Sequence, residues 1–175
     1  TVRLHHFECE GGIASGMGDP NGTTLNPKSL DRMDYLVAKC IAAGIYVTID
    51  LYSYRTASPA VRAEIWRKLG RTPPMIPTFQ EMKMLIHLSD DGFENWKAYA
   101  GNLLNHVNPY TGRAYKDEPG LPLISLINEG HLTWCWDAIK KEAPMKAAWK
   151  KWLAAKRAAD PAFAKGVSDD AEQVH

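Results

Sequence analysis

Residues 45–52, IYVTIDLY, constrain the fold of this chain more than any other stretch. Ile45, Val47, Ile49 and Leu51 fall on one face of an extended segment, and Tyr46, Thr48, Asp50 and Tyr52 on the other. A period of two is the mark of a strand, and no charge interrupts the apolar side. Just upstream, Asn26 is placed to cap a helix, with Pro27 at its first position. Leu30, Met33, Val37, Cys40 and Ile41 recur along it at helical spacing, and Gly44 ends it. A helix followed after a single residue by a strand is the pattern of strand–helix repeats in a parallel sheet.

Two other stretches read as strands. In residues 1–7, TVRLHHF, Val2 and Leu4 alternate with Arg3 and His5. In residues 121–129, LPLISLINE, a run of Leu121, Leu123, Ile124, Leu126 and Ile127 ends on Asn128 and Glu129. A carboxylate closing a hydrophobic strand is costly unless solvent, a partner or a reaction occupies it. A Gly-rich loop follows the first strand candidate, with Asn21-Gly22 as its turn. Residues 53–90 form a long excursion with two short helix candidates, 60–70 and 79–89, around RTPPMIPT; Trp66, Met82, Leu85 and Ile86 argue that it is ordered. A helix from Asp90 or Asp91 is expected to turn Phe93, Trp96, Ala100, Leu103, Leu104 and Val107 inward. Turn-rich NPYTGRAYKDEPG leads into the last strand, with Lys116-Asp117-Glu118 read as a solvated turn. A final helix through Arg157 carries Met145, Ala148, Trp149, Trp152 and Leu153 on one stripe, and the tail from Asp160 is expected to fray.

At 175 residues the chain supports one domain with a proper core. A formal charge of +1 gives no reason to expect nucleic acid or an anionic membrane as partner. No apolar run approaches the roughly 20 residues that span a bilayer, so a soluble chain is expected. The basic last helix reads as a solvated outer helix rather than a membrane-surface one. Cys9, Cys40 and Cys135 are far apart and lack CxxC spacing, which speaks against zinc and against a disulfide framework. The chain opens inside a strand, which suggests that a preceding segment is missing, so the absence of a leader says nothing about compartment, and no signal bears on oligomeric state.

Three strands each followed by helix mean an α/β fold, in an open sheet or in part of a (β/α)₈ barrel. Open sheets usually carry a phosphate-binding Gly loop, and neither GxGxxG nor GxxxxGK[ST] occurs. If the apolar strand faces pack on helices, Arg3, His5, Thr48, Asp50, Tyr52 and Glu129 face a barrel interior, and Tyr52, Asn128 and Glu129 gather at its C-terminal rim. The expected architecture is therefore a single incomplete barrel domain over residues 1–175, covering roughly strands two to four. His5 and His6 are adjacent in a strand, which sends them to opposite faces and argues against a joint metal site.

Asn-Glu closing an apolar strand resembles the fourth strand of clan A glycoside hydrolases, which are retaining (β/α)₈ enzymes. TVRL is similar to their second strand, YVTIDLYS to their third, and NPYTG-x-AYKDEP before the pair to cellulase-like members related to family 5. The resemblance implies Glu129 as general acid/base, Asn128 bonded to the sugar 2-hydroxyl, and Arg3 beneath the nucleophile. Tyr52 stands where the family commonly has histidine, and His5 lines the same interior. Trp134 is either a sugar-stacking platform or a packed loop residue. Glycosidic cleavage needs a carboxylic acid set in an environment that favours its protonated form, and a second carboxylate about 5–5.5 Å away. No metal or organic cofactor is required. The family's nucleophile ends strand seven, which this chain does not reach. Asp50 lies too deep to replace it, so the chain alone is expected to be inactive and to expose unpaired sheet edges. The implied ligand is an oligo- or polysaccharide, and enzymes acting on such polymers are often exported. Two alternatives stay open: a carbohydrate-binding barrel without chemistry, and an unrelated α/β protein in which Asn128-Glu129 caps the next helix.

Overall fold

The computed structural model describes residues 1–8, 12–13, 17, 23–53, 63–64, 67, 83, 86–87, 89–129 and 136–174. In chain order the elements are β1 (Val2–Leu4), α1 (Pro27–Ala42), β2 (Val47–Asp50), α2 (Asp90–Asn105), β3 (Val107–Asn108), β4 (Arg113–Ala114), β5 (Leu123–Ser125), α3 (Trp136–Ile139) and α4 (Ala143–Ala159). Strands β1, β2 and β5 form a parallel sheet in the order β1-β2-β5, with Arg3 opposite Thr48 and Asp50 opposite Ser125. Helices and a parallel sheet together make an α/β fold. The loop Glu10–Thr24 lies largely outside the described residues. Within the 53–90 excursion, Ala63, Glu64, Arg67, Lys83, Ile86 and His87 are helical, at the two places where short helices are expected.

Regular pairing is shorter than the alternation in the sequence. On β1 the reason is local: His6 adopts φ 53, in the left-handed region, and the strand cannot continue through it. The two histidines therefore do not part to opposite faces, and their rings stack with centroids 3.7 Å apart.

Helix α1 begins as its sequence dictates. Asn26 Oδ1 accepts the backbone N–H groups of Lys28 and Ser29 at 3.0 and 3.3 Å, and Pro27 follows at the first position. Leu30, Met33 and Val37 are buried and join Val47, Ile49 and Leu51 of the sheet in one core. Helix α2 starts at a Ser89 cap and buries Tyr99, Ala100 and Leu103. Phe93, expected inside, is 43% exposed and lies beside Trp96 in the outer turns of the helix, while Val107 belongs to β3 and is 54% exposed.

The turn-rich segment is more ordered than its composition implies. β3 and β4 form a short hairpin, closed at Gly112 with φ 69, and a 3-10 turn follows over Tyr115–Asp117. Glu118, read as solvated, is buried, and its Oε1 accepts the Gly120 N–H at 3.1 Å. The reason is the crossing just beyond it. A Cβ on Gly120 would sit 2.4 Å from Ile41 Cγ1, so the chain passes α1 in close contact and carries Glu118 inward.

A buried polar cluster ties this segment to α1. Asp34 Oδ1 accepts the Tyr115 hydroxyl at 2.8 Å, Oδ2 lies 2.8 Å from His106 Nε2, and the Asp34 carbonyl accepts Asn108 Nδ2 at 3.0 Å. Burial pushes the Asp34 carboxyl above the ordinary carboxylate value, against the opposing pull of His106 and Tyr115. The folded chain thus holds this proton more tightly than the unfolded chain. The contribution is complete below the ordinary carboxylate value and is lost as pH rises through the raised one. Asp34→Asn should remove this dependence. Urea midpoints of wild type and variant measured across acidic pH should show the wild type losing ground as pH rises, and parallel curves would refute the assignment.

The C-terminal region is not frayed. Trp149 Nε1 donates to the Ser168 carbonyl at 3.0 Å, Trp136 Nε1 donates to the Val174 carbonyl at 2.9 Å, and Lys146 pairs with Glu172. Ala171 is fully buried beneath α4. Its lack of sequence pattern reflects pinning by side-chain-to-backbone bonds, which leave no periodic trace. Among the described residues no helix is long and apolar enough to cross a membrane.

Candidate functional site

Towards the C-terminal ends of β1 and β2 and in the turn after β5, side chains converge. Arg3 of β1 grips Asp50 of β2 with two bonds, Nε to Oδ2 at 3.2 Å and Nη2 to Oδ1 at 3.1 Å. The same Nη2 donates to Asn128 Oδ1 at 2.7 Å. His5 Nδ1 lies 2.7 Å from Asp50 Oδ2. Asp50 is fully buried, whereas the Arg3 side chain is 52% exposed, so the guanidinium bridges a buried anion and solvent. A buried carboxylate persists only with such partners, and the forked guanidinium fixes its plane.

Asn128 is buried, and its backbone N–H donates to the Tyr52 carbonyl at 2.8 Å. An arginine can only donate, so the Asn128 amide must turn its oxygen to Arg3 and its nitrogen away. That nitrogen, Nδ2, is buried and has no acceptor among the described residues. An unmet buried donor costs about 1–3 kcal/mol. An acceptor brought by a ligand would recover that cost.

Glu129 comes next, at φ 50. Left-handed backbone is uncommon for residues other than glycine, and such strain gathers at functional sites. The expectation that the strand runs on through Glu129 is corrected here. β5 pairing stops at Ser125, where the chain leaves the ladder so that Asn128 can reach the Tyr52 carbonyl, and Glu129 stands exposed in the turn beyond. Its charge is felt across the strand ends at His6. Burial, then His5 and Lys83, hold the His6 imidazole below its ordinary value, and Glu129 and Asp50 oppose them.

The other expected ligand contacts fare differently. His5 is exposed and bonded into the network. Tyr52 is 1% exposed, so the ring expected at the rim is core, and it serves the site through its carbonyl. Trp134 lies outside the described residues. Sequence reasoning missed Glu8, which is buried, accepts the Tyr99 hydroxyl at 2.8 Å and the Ser53 N–H at 3.3 Å, and so ties the end of β1 to β2 and α2. The available signal was an acid directly after Phe7 paired with a lone tyrosine hydroxyl on the inner face of α2. Lys83, also buried, was missed within the excursion. Among the described residues no three His, Cys, Asp or Glu side chains gather as a metal site would require.

An exposed carboxylate beside an unmet amide donor and a half-exposed guanidinium is suited to a polar, uncharged ligand and to proton exchange with it. No protein-family model matches the chain, and no curated protein does. Among solved structures it is similar to the endo-β-1,4-mannanase from Thermotoga petrophila, with 24% identity and a TM-score of 0.45 over 76% of this chain and 26% of that one. It is also similar to the hyperthermostable endo-1,4-β-D-mannanase from Thermotoga petrophila RKU-1 with maltose and glycerol, with 24% identity and a TM-score of 0.47 over 83% of this chain and 37% of that one. The chain thus spans between 26% and 37% of the length of these two proteins.

Proposed function

We propose that the chain carries the acid/base part of a retaining glycosidase site for β-linked glycans, within an incomplete (β/α)₈ barrel. Glu129 protonates the leaving oxygen and then activates water, Asn128 binds the sugar hydroxyl next to the reacting carbon, and Arg3 with Asp50 sets their positions. The observation that carries this reading is the Asn128 amide. Arg3 holds its oxygen, which leaves a buried N–H with no acceptor among the described residues, directly beside the left-handed Glu129. The motif resemblance in TVRL, YVTIDLYS and LPLISLINEG supports it. Exposure on the two edge strands also favours flanking strands: Val2 is 38% exposed and Leu123 64%.

Among the described residues, the buried acids nearest these strand ends are committed elsewhere. Asp50 belongs to Arg3 and His5, and Glu8 to Tyr99 and Ser53. The nucleophile in this reading is supplied by a further segment, and the 175-residue chain alone should leave β-linked aryl glycosides intact. The same observation favours one second reading, a barrel that binds glycan without cleaving it.

Both readings predict binding at the same atoms. Titrating mannotriose or cellotriose into the isotope-labelled chain should shift the Asn128 side-chain amide and Arg3 Nε resonances. Asn128→Ala should weaken that binding by at least fivefold. Saturating sugar that leaves the Asn128 amide unmoved refutes the site.

A further inference from the structure

At the opposite end of the sheet, a cleft of about 560 Å³ opens between the α1–β2 connection and the segment that leads into β5. Its walls bring together Tyr46, Arg113 and Glu118, with Ile41, Ile45 and Pro119 as apolar surface. Tyr46 and Asp50 lie four residues apart on a strand, so the cleft is about 13 Å from the Arg3–Asp50 network.

The chemistry of the walls is specific. Glu118 is 9% exposed, its Oε1 accepts the Gly120 N–H, and its Oε2 is buried with no donor among the described residues. Arg113 is exposed on the same cleft, and no ion pair joins it to Glu118 or to any other described residue. Opposite charges thus share one cleft without touching. Tyr46 is 57% exposed, and its ring stacks on no described neighbour. A volume of this size is within the roughly 300–1,000 Å³ of small-molecule clefts.

We infer that this cleft is a second saccharide site, one that holds a short neutral oligosaccharide apart from the site at the strand ends. A hydroxyl both donates and accepts, so one sugar hydroxyl can accept from the exposed Arg113 guanidinium while its neighbour donates to the Glu118 carboxyl, once a small turn of that side chain uncovers its buried oxygen. An anion would meet Glu118 and a cation Arg113, whereas a neutral polyol satisfies both. Tyr46, with a flat apolar face and a wet hydroxyl edge, receives the C–H face of a pyranose. The inference does not depend on catalysis by Glu129.

The test is a titration of the isotope-labelled 175-residue chain with mannotriose and cellotriose, with glycine as a zwitterionic comparison. Backbone amides of Tyr46, Thr111 and Gly120 should shift with sugar. The dissociation constant read there should be unchanged in Asn128→Ala and at least fivefold weaker in Tyr46→Ala and in Arg113→Met. Both latter positions are exposed, so these variants should keep the wild-type spectrum elsewhere. Shifts confined to the strand ends would overturn the second site while leaving the first intact. Shifts at Tyr46 with glycine but not with sugar would overturn the assignment of its ligand.

Discussion

Arg3→Met should lower the stability of the chain by about 2–4 kcal/mol, read as a fall in the urea midpoint at constant slope. Methionine retains the apolar stem and removes every bond the guanidinium makes. Asp50 is fully buried and, among the described residues, would keep only His5 as a side-chain partner. Asn128 Oδ1 would lose its one side-chain donor among the described residues, so the amide beside Glu129 would be free to turn. Breaking a buried ion pair from one side costs about 3–5 kcal/mol, and the half-exposed Arg3 argues for the low end of that range or just below it, because water screens it. The double variant Arg3→Met/Asp50→Asn provides the control. If the penalty comes from an orphaned buried anion, neutralising it should recover part of the loss, and the double variant will be less destabilised than the sum of the singles. Strict additivity, or an Arg3→Met midpoint within about 0.5 kcal/mol of wild type, would show that the network does not brace the strand ends.

That brace shows where the sequence is readable and where it is not. The alternation in 45–52, the Asn26-Pro27 start and the Gly44 stop are local signals, set by backbone geometry within a few residues, and each appears at its expected place. The apolar run at 121–127 likewise yields β5. Pairing of Arg3 with Asp50, 47 positions apart, could be anticipated only in part, because both residues fall on the polar faces of parallel strands. The Asp34–His106–Tyr115 cluster carried no such cue, and the Glu8–Tyr99 bond was signalled by residue type alone, since each joins elements whose spatial order the period of hydrophobicity does not specify. Glu118 misled for a related reason. Its charged neighbours Lys116 and Asp117 look solvated, and burial follows from Gly120 crossing Ile41 two residues later. His6 and Glu129 depart from the strand reading through one backbone angle each, and hydrophobic pattern is blind to that. The C-terminal tail holds by side chains bonding carbonyls, an arrangement without periodicity.

Glu129→Gln should lower kcat/KM for glycosides with poor leaving groups by about 10²–10⁴-fold, measured in a polypeptide that supplies the second carboxylate. Glutamine keeps the size of the side chain and can still hydrogen-bond a sugar, so affinity should change little while proton transfer stops. Leaving-group dependence separates this role from a merely structural one. A dinitrophenyl glycoside departs without needing a proton, so its kcat/KM should be nearly unaffected. Its kcat should still fall, because in the proposed retaining mechanism the same residue activates water to release the glycosyl-enzyme intermediate. Azide, a nucleophile that needs no base, should restore that second step in the variant. A loss that is equal for all leaving groups and not rescued by azide would place Glu129 in the architecture of the turn, where its φ of 50 already makes it unusual. Wild-type protein that binds oligosaccharide at Asn128 yet never turns over, even with the further segment present, would instead establish the non-catalytic barrel. The exposed position of Glu129 makes the leaving-group series the decisive measurement, since a solvent-facing carboxylate can stand beside a sugar without donating to it.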